Sequence, residues 1–507
     1  MFKVRKTKTG SGNVAVQIVN RYNHVTKIVK HVGSSRNKAE LENLLKLARN
    51  LAFKMSSNET LFPEMYEEEK GQLVSMNHLE VLPNYKHLFA YEFLSYFYKL
   101  SGFDKLDLTI LKHLVFARII KPSSKIESLR FLKSNFGIRY GHSSLYGELL
   151  KINEGKDKIE DISIKYAKKY LSFDFSLVFF DVTTLYFETF KEDKDNFRKA
   201  GFSKDGKHQQ PQILVGLVVT KEGFPISIES FEGNTFEGHT MLPVILNLKK
   251  KYKVENLTIV ADAGMLSFNN MEVLQNNKLQ YVVGARMGGI KENIIKDISE
   301  EINRQENYIV EAKTKYGRLL VDYSKKRASK DKSDREKQIR KAEFQIINGN
   351  PILKRIRFLK EDVKTKYELN QQLIDKDIIL DGLKGYYTNT EEIDAKLLIN
   401  RYKDLWHVEK AFRIAKSDLL ARPMYHHKKE NVKAHVLIVF VSLAIAKIIE
   451  FETKLSIKKV VEEIYKIIDI TLKDTLTNLT FTKRMETKDN TLASYVDKYH
   501  KNSKTEY

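Results

Sequence analysis

The sequence predicts a multidomain protein of mixed α/β and α+β class. At its centre is a mixed sheet flanked by helices, interrupted by an insertion domain and preceded by a basic N-terminal region. Three observations carry this prediction. Asp181 and Asp262 each sit in, or just after, a short apolar run of strand type. Glu409 stands on a helix-like stretch far downstream. The 146 residues between Asp262 and Glu409 exceed what a connection inside one core needs.

Composition narrows the class. A chain of 507 residues has room for several domains. An apolar share of 42% with 11% aromatics marks a folded chain with a sizeable core. There is no cysteine, which excludes disulfides, thiolate metal sites and cysteine nucleophiles and leads us to expect a reducing, cytoplasmic setting. The start, MFKVRKTKTG, is basic with no apolar run behind it, so no signal peptide is expected. The longest apolar stretch, His435 to Ile449, is too short to span a bilayer and reads as a core helix. No membrane partner is expected. The formal net charge of +22 says most about partners, because a chain this basic attracts phosphate backbones and releases their counterions.

In chain order, residues 1–75 carry alternating runs at Val14–Val19 and Val25–Val32 and a charged helical stretch at Lys38–Lys54, which predicts a small β-hairpin with a helix. Residues 76–170 read as helical. Ser124 and Glu127 are spaced as a capping box. Arg118, Lys121, Lys125, Arg130 and Lys133 make this region a candidate DNA-binding module. Residues 171–285 open the core. They hold the strand-like run Leu177–Phe187 around Asp181, then Gln212–Thr220, a turn at Lys221–Gly223, and Phe224–Phe231. A periodic helix over Gly238–Tyr252 and a short run, Leu257–Val260, lead to Asp262.

Residues 286–380 are expected to form the insertion domain. A strand pair at Tyr308–Thr314 and Leu319–Tyr323 precedes a solvated helix over Lys326–Phe344. In that helix Asp331 with Arg335 and Glu336 with Arg340 are spaced for ion pairs one turn apart. Asn348-Gly349 marks a turn. Residues 381–470 resume the core with a strand at Gly385–Asn389, and Thr388 with Glu391 are placed to cap the next helix. Residues 471–507 are expected to be a polar tail. The order is strand with Asp, two strands, helix, strand with Asp, and much later a helix with Glu. A ribonuclease H-like core uses this order to gather three distant carboxylates.

The stretch from Tyr402 to Lys416 predicts one helix, with Tyr402, Leu405, Glu409, Phe412 and Lys416 on a single inward face. A carboxylate directed inward there calls for a cation. Three carboxylates without cysteine or a histidine cluster suit Mg²⁺, with Mn²⁺ as a substitute. Two such ions would hold both oxygens of an in-line phosphoryl displacement. Arg401, Lys403, Lys410, Arg413, Lys416 and Arg422 are placed to grip neighbouring phosphates, and Trp406, the only tryptophan, is placed to stack on a base. His407 and Glu409 form His-x-Glu, but the lack of cysteine excludes a zinc deaminase site. His426 and His427 read as solvated or phosphate-facing.

These blocks resemble bacterial insertion-sequence transposases of the DDE type, in the group whose glutamate lies in a Tyr-x-x-Arg-x-x-x-Glu-x-x-x-x-x-x-Lys signature. Tyr402, Glu409 and Lys416 stand at that spacing. FFDVTT around Asp181, GFSKDGKHQQPQ at Gly201–Gln212, GNTFEGHT at Gly233–Thr240, VADAGM around Asp262 and YSKKRASKD at Tyr323–Asp331 resemble the group's other blocks. The signature's Arg position is Leu405 here, so Arg401, Lys403 or Arg413 is expected to take its part. The resemblance implies a ribonuclease H-like domain with an insertion and Asp181, Asp262 and Glu409 as metal ligands. It also implies Mg²⁺-dependent cleavage at terminal inverted repeats and strand transfer into target DNA, with Tyr402 and Lys416 at the transposon end and a homodimer on paired ends. Such an enzyme works at the nucleoid. Two rivals share these residues: a structure-selective nuclease on the same core, and a catalytically inactive DNA-binding relative.

Overall fold

In a computed structural model of the chain, the described residues are 2–10, 12–22, 25–57, 79–83, 85–189, 197–201, 206, 209–265, 267–348, 356–361, 367–475, 478–485 and 491–504. The chain divides into two units, Met1–Phe89 with Lys466–Asn490, and Ala90–Tyr465 with Thr491–Tyr507.

The first unit contains two small sheets. Alternating apolar residues in Phe2–Lys8 (β1), Val14–Tyr22 (β2) and Val25–Ser35 (β3) make an antiparallel three-stranded sheet in the order β1-β2-β3. Val16 and Ile18 pack against Leu45, Ala48, Leu51 and Ala52 of the helix Lys38–Ser57. The expected hairpin with a helix is thus one strand larger. The second sheet joins Leu79–Val81 (β4) to Ile468–Asp474 (β15) and Thr480–Met485 (β16) in the order β16-β15-β4. The predicted polar tail therefore contributes strands. Across β15 and β16, Asp469 faces Arg484 and pairs with it at 2.8 Å. Two charges that are solvated in the sequence become a half-buried pair only when the strands meet.

The second unit is built on an eight-stranded sheet. Its strands are Leu177–Tyr186 (β5), Gln212–Val219 (β6), Pro225–Glu232 (β7), Thr258–Ala261 (β8), Gln280–Ala285 (β9), Ile309–Thr314 (β10), Gly317–Tyr323 (β11) and Leu383–Thr388 (β14). They lie in the order β10-β11-β14-β9-β8-β5-β6-β7. β5, β6 and β7 form an antiparallel meander, and β5, β8 and β9 are parallel. The helices Met241–Tyr252 and Phe268–Asn276 make the crossovers that lead into β8 and β9. All of β6 is buried, so its residues QILVGLVV are apolar almost throughout rather than alternating.

The stretch predicted as an insertion does not stand wholly apart. β10 and β11 continue the main sheet, because β14 pairs antiparallel with β9 on one side and with β11 on the other. Only Leu359–Glu361 (β12) and Tyr367–Leu369 (β13) form a separate hairpin, beside a small cluster of Ala342, Phe358 and Ile374. The long helix Lys325–Asn348 is present. Asp331, however, accepts the Gly382 N–H at 3.0 Å, and Arg335 pairs with Asp381, so these side chains hold the turn before β14. Gly349 of the predicted turn and half of the GFSKDGKHQQPQ block lie outside the described residues.

Of the five cations predicted on the helical stretch, Arg118 and Lys125 are buried, while Lys121, Arg130 and Lys133 are exposed. Thr109–Ile120, His142–Glu154 and Lys156–Tyr170 pack on the buried helix Lys429–Thr453, which extends well beyond the predicted apolar run. Ser124 caps Lys125–Phe136 by accepting the Glu127 N–H, as the capping box predicts. Arg118 is buried and donates to the Leu419, Leu420 and Ser123 carbonyls. Lys121 and Arg130 both turn to Glu127. Lys125 is buried 3.1 Å from His435 Nδ1, while His435 Nε2 lies 3.1 Å from the Ala421 carbonyl. That carbonyl can only accept, so Nε2 carries the proton and Nδ1 accepts from Lys125. Burial, then Lys125 and Arg118, hold His435 well below its ordinary range, and burial, then Arg118, holds Lys125 down.

The signs set the pH dependence. His435 binds a proton more readily in the unfolded chain, so its contribution is intact above about pH 6.5 and is lost as pH falls, by at most about 1.4 kcal/mol per pH unit. Lys125 acts in the same sense. The melting temperature is expected to fall between about pH 7 and pH 5, and His435→Gln should flatten that fall. Parallel melting curves of both proteins across this range decide it.

Candidate active site

Strand register brings two of the acidic residues together. β5 and β8 run parallel, with Phe179 beside Val260 and Phe180 beside Ala261. The next residues are Asp181, still within β5, and Asp262, the first residue past the end of β8. Asp181 alternates onto the face of Thr183 and Leu185. Those two residues border a small apolar cavity with Phe412, Ala415 and Lys416. Asp181 thus sits on the face that the Glu409 segment covers. Its Oδ1 accepts the Val182 N–H at 2.7 Å, and Asp262 Oδ1 accepts the Ala263 N–H at 2.7 Å.

The predicted single helix is divided. Ala395–Lys403 packs on β8 and β9, and Trp406–Arg413 packs on β5 and β6. At the junction the bonds Leu405 N to Tyr402 O, His407 N to Asp404 O and Val408 N to Leu405 O close three-residue turns. A π segment, Ile414–Asp418, follows. Three-residue turns advance each position by more than an α-turn does, so the inward face shifts along the sequence. Val408, Ala411 and Phe412 become the buried residues, and Glu409 is exposed instead of facing the core. The first helix is capped by Asp394, which accepts the Leu397 N–H at 3.0 Å. The predicted cap is not used: Thr388 is buried and its hydroxyl bonds to that of Thr390.

Tyr402 is buried, 5% exposed, and its hydroxyl donates to Asp262 Oδ1 at 3.2 Å. The ring packs edge-on to Tyr386, with Lys384 Nζ 4.5 Å from its centre. Burial raises the Tyr402 hydroxyl pKa first, and the Asp262 charge adds to it, so the group is a firmly held donor. Burial pushes Lys384 down, while Asp322, Asp262 and Glu409 oppose that shift. Gly284 makes room for the tyrosine, because a Cβ there would come 2.6 Å from its hydroxyl.

The predicted DNA contacts fall into different surroundings. Lys416 is half-buried beside Thr183 and Phe412. Lys410 is 3.6 Å from Glu450 of the long core helix, and Lys403 is 3.9 Å from Asp322. Arg422 lies 5.5 Å from the Tyr186 ring centre, Arg401 is half-buried and Arg413 is exposed. Trp406 is 50% exposed and stacked on His407. Leu405, at the signature's Arg position, is buried, so that position faces the core in this chain. His426 is not solvated as expected: its ring meets that of His435, and burial, then Lys125, pushes it down to about 3.

Two residues were missed. Lys384 opens β14 and looks in the sequence like any solvated lysine. Glu237 lies inside the GNTFEGHT block, which was the signal available. Its Oε2 lies 3.9 Å and Asp262 Oδ2 3.8 Å from the point where a Gly264 Cβ would sit, so both carboxylates flank the space that glycine leaves open. This all-oxygen donor set fits the hard divalent cation that the resemblance implies. Among the described residues, no three acidic or histidine side chains are grouped closely enough to hold one ion. The structure therefore does not converge the two aspartates and Glu409. One oxygen of each aspartate accepts the N–H of the following residue, and Glu409 is exposed.

The family of the chain follows from comparison. The model of the transposase DDE domain matches residues 172–445, and the chain belongs to that family. The match runs from just before β5 through most of Lys429–Thr453 and contains all three acidic candidates. Among solved structures, the piggyBac transposase synaptic complex with hairpin DNA, determined by cryo-electron microscopy, is similar with a TM-score of 0.34 and 11% identity, covering 75% of this chain and 70% of that one. Comparison with curated proteins gives no match.

Gly284→Ala should cost about 1–3 kcal/mol through overpacking. Tyr402→Phe removes the atom the new methyl meets, so the double variant should lose less than the two single losses combined. Denaturant unfolding of the four proteins measures this cycle, and strict additivity would refute the contact.

Proposed function

We propose that this chain is a DNA transposase that cuts strands at the terminal inverted repeats of its element and joins them to target DNA. The observation that carries the reading is the β5–β8 register, which sets Asp181 and Asp262 one position beyond the Phe180–Ala261 pair, with the Glu409 segment packed on β5. Further support comes from the strand order β7-β6-β5-β8-β9, a three-strand meander followed by two parallel strands, which is how a ribonuclease H-like core is wound. Asp181, Asp262 and Glu409 are the proposed holders of Mg²⁺, with Glu237 at the border of the same space. When bound, a pair of such ions activates the attacking oxygen and stabilises the leaving one.

The chain's own residues do the rest. Tyr402 donates to Asp262 and fixes the direction of its carboxylate. Lys384 offsets the crowded negative charge from beneath. The Glu409 segment is bracketed by three-residue turns and a π segment, irregularities that change register at low cost, so Glu409 completes the set by a small rotation. Arg401, Arg413 and Arg422 are the cations we assign to phosphates at the DNA end, with Trp406 as a stacking surface. Lys410 and Lys416 serve mainly to seat the segment. A homodimer on paired ends at the nucleoid is part of the same proposal.

Cleavage of DNA carrying the element's own ends, in Mg²⁺ and in Mn²⁺, tests the reading. Glu409→Gln and Asp262→Asn should each lose roughly 10²–10³-fold or more. Tyr402→Phe should lose about 10–100-fold, as removal of a ligand's orienting partner does. Equal cleavage by wild type and Glu409→Gln, or none despite tight binding of the ends, would sink the catalytic reading and leave the DNA-binding relative.

A further inference from the structure

A cleft in the second unit lies outside the family match and away from the three acidic residues in sequence. It has a volume of about 650 Å³. Its walls are the helix Lys156–Tyr170, the turn at Gly102–Leu106 and Tyr499 of the C-terminal helix Ala493–Lys504. Lys158, Ile162, Lys165 and Lys169 all line it, at steps of four, three and four, so they form one helix face. From Lys158 to Lys169 that face runs about 16 Å along the helix. Lys99 and Lys105 face it from the other side. Of its two acidic residues, Asp161 is already engaged by Lys251 at 3.1 Å and by the Tyr252 hydroxyl. Asp104 is left against five lysines.

Aromatic rings are interleaved with these charges. Tyr170 is 47% exposed, with Lys169 Nζ 4.9 Å from its centre and Tyr166 packed behind it at 4.8 Å. Tyr96 and Tyr499 also line the cleft. A small phosphate ligand would need cations converging on one point. Here they are strung in a row beside one exposed ring, that of Tyr170, which suits an extended polyanion with flat bases.

We propose that this cleft is a second nucleic-acid site that holds a single DNA strand, its phosphates along Lys158, Lys165 and Lys169 and a base against Tyr170. The choice of DNA rests on the transposase reading, in which strands separate at the element's ends; the cleft itself needs neither metal nor the acidic residues.

Binding of a fluorescent oligothymidine to the full chain, in EDTA over a range of salt, tests it. The triple variant Lys158→Gln, Lys165→Gln, Lys169→Gln should bind at least about tenfold more weakly, with a salt slope smaller by about two. Tyr170→Ala should weaken binding about fivefold or more at an unchanged slope. A control triple on the insert helix, Lys330→Gln, Lys332→Gln, Lys341→Gln, should change little, and melting curves confirm that each variant is folded. Wild-type affinity in the lysine variant, an equal loss in the control, or a duplex that depends on these lysines more than the single strand does, each overturns the proposal. The EDTA assay involves no cleavage, so failure here and failure of the catalytic reading are separate results.

Discussion

The parallel register of β5 and β8 is the constraint on which the site depends. Pairing Phe180 with Ala261 puts Asp181 and Asp262 each one position further along the two chain segments. A slip of one residue would send one of them to the opposite face, because side chains alternate with a period of two. The register is protected from both sides. β6 pairs with β5 along its length, and β9 pairs in parallel with β8. Phe179, Phe180, Ile259 and Val260 are buried, so a slip would also drag core residues into positions meant for their neighbours. Two polar residues at the end of an apolar ladder are thus placed by the packing of everything behind them.

The third acidic residue is placed by a looser device. Its helical segment is only eight residues long and lies between a tightened junction and a π segment. Three contacts tie it down. Lys410 meets Glu450 on the long buried helix, Phe412 packs over β5, and Gly223 with φ of +77° brings the β6–β7 turn against His407. Beside it, Tyr402 and Lys384 link Asp262 to Asp322, where Tyr386, Arg327 and Lys403 converge. Asp322 and Arg327 in this polar group come from β11 and the start of the helix Lys325–Asn348.

A net charge of +22 does not by itself locate a DNA surface. Arg118, Lys125 and Lys447 are buried and spent on carbonyls, a histidine and a glutamate. Lys121, Arg130 and Lys410 are shared with acidic partners. What remains available is set by which faces the helices leave uncovered, and the row at Lys158, Lys165 and Lys169 is one such face.

Local patterns were enough to place β5, β6, β7, β8, the β10–β11 pair and the insert helix, because apolar periodicity and turn residues act over a few positions. The same patterns singled out Asp181 and Asp262, since a carboxylate within an apolar strand run is legible without any partner in view. They did not reveal β15 with β16, whose stabilising contact between Asp469 and Arg484 exists only across the sheet. Nor did they reveal that Glu409 would be exposed, because a few three-residue turns rotate a helix face without leaving a mark in composition. The role of Tyr402 was equally hidden: donation to Asp262 spans 140 positions and depends on the space left by Gly284. The sequence by itself determined most of the central strands and helices and marked Asp181 and Asp262 as candidates. Tertiary structure alone decided which side chains meet, because long-range contacts are properties of register and packing and not of any local window.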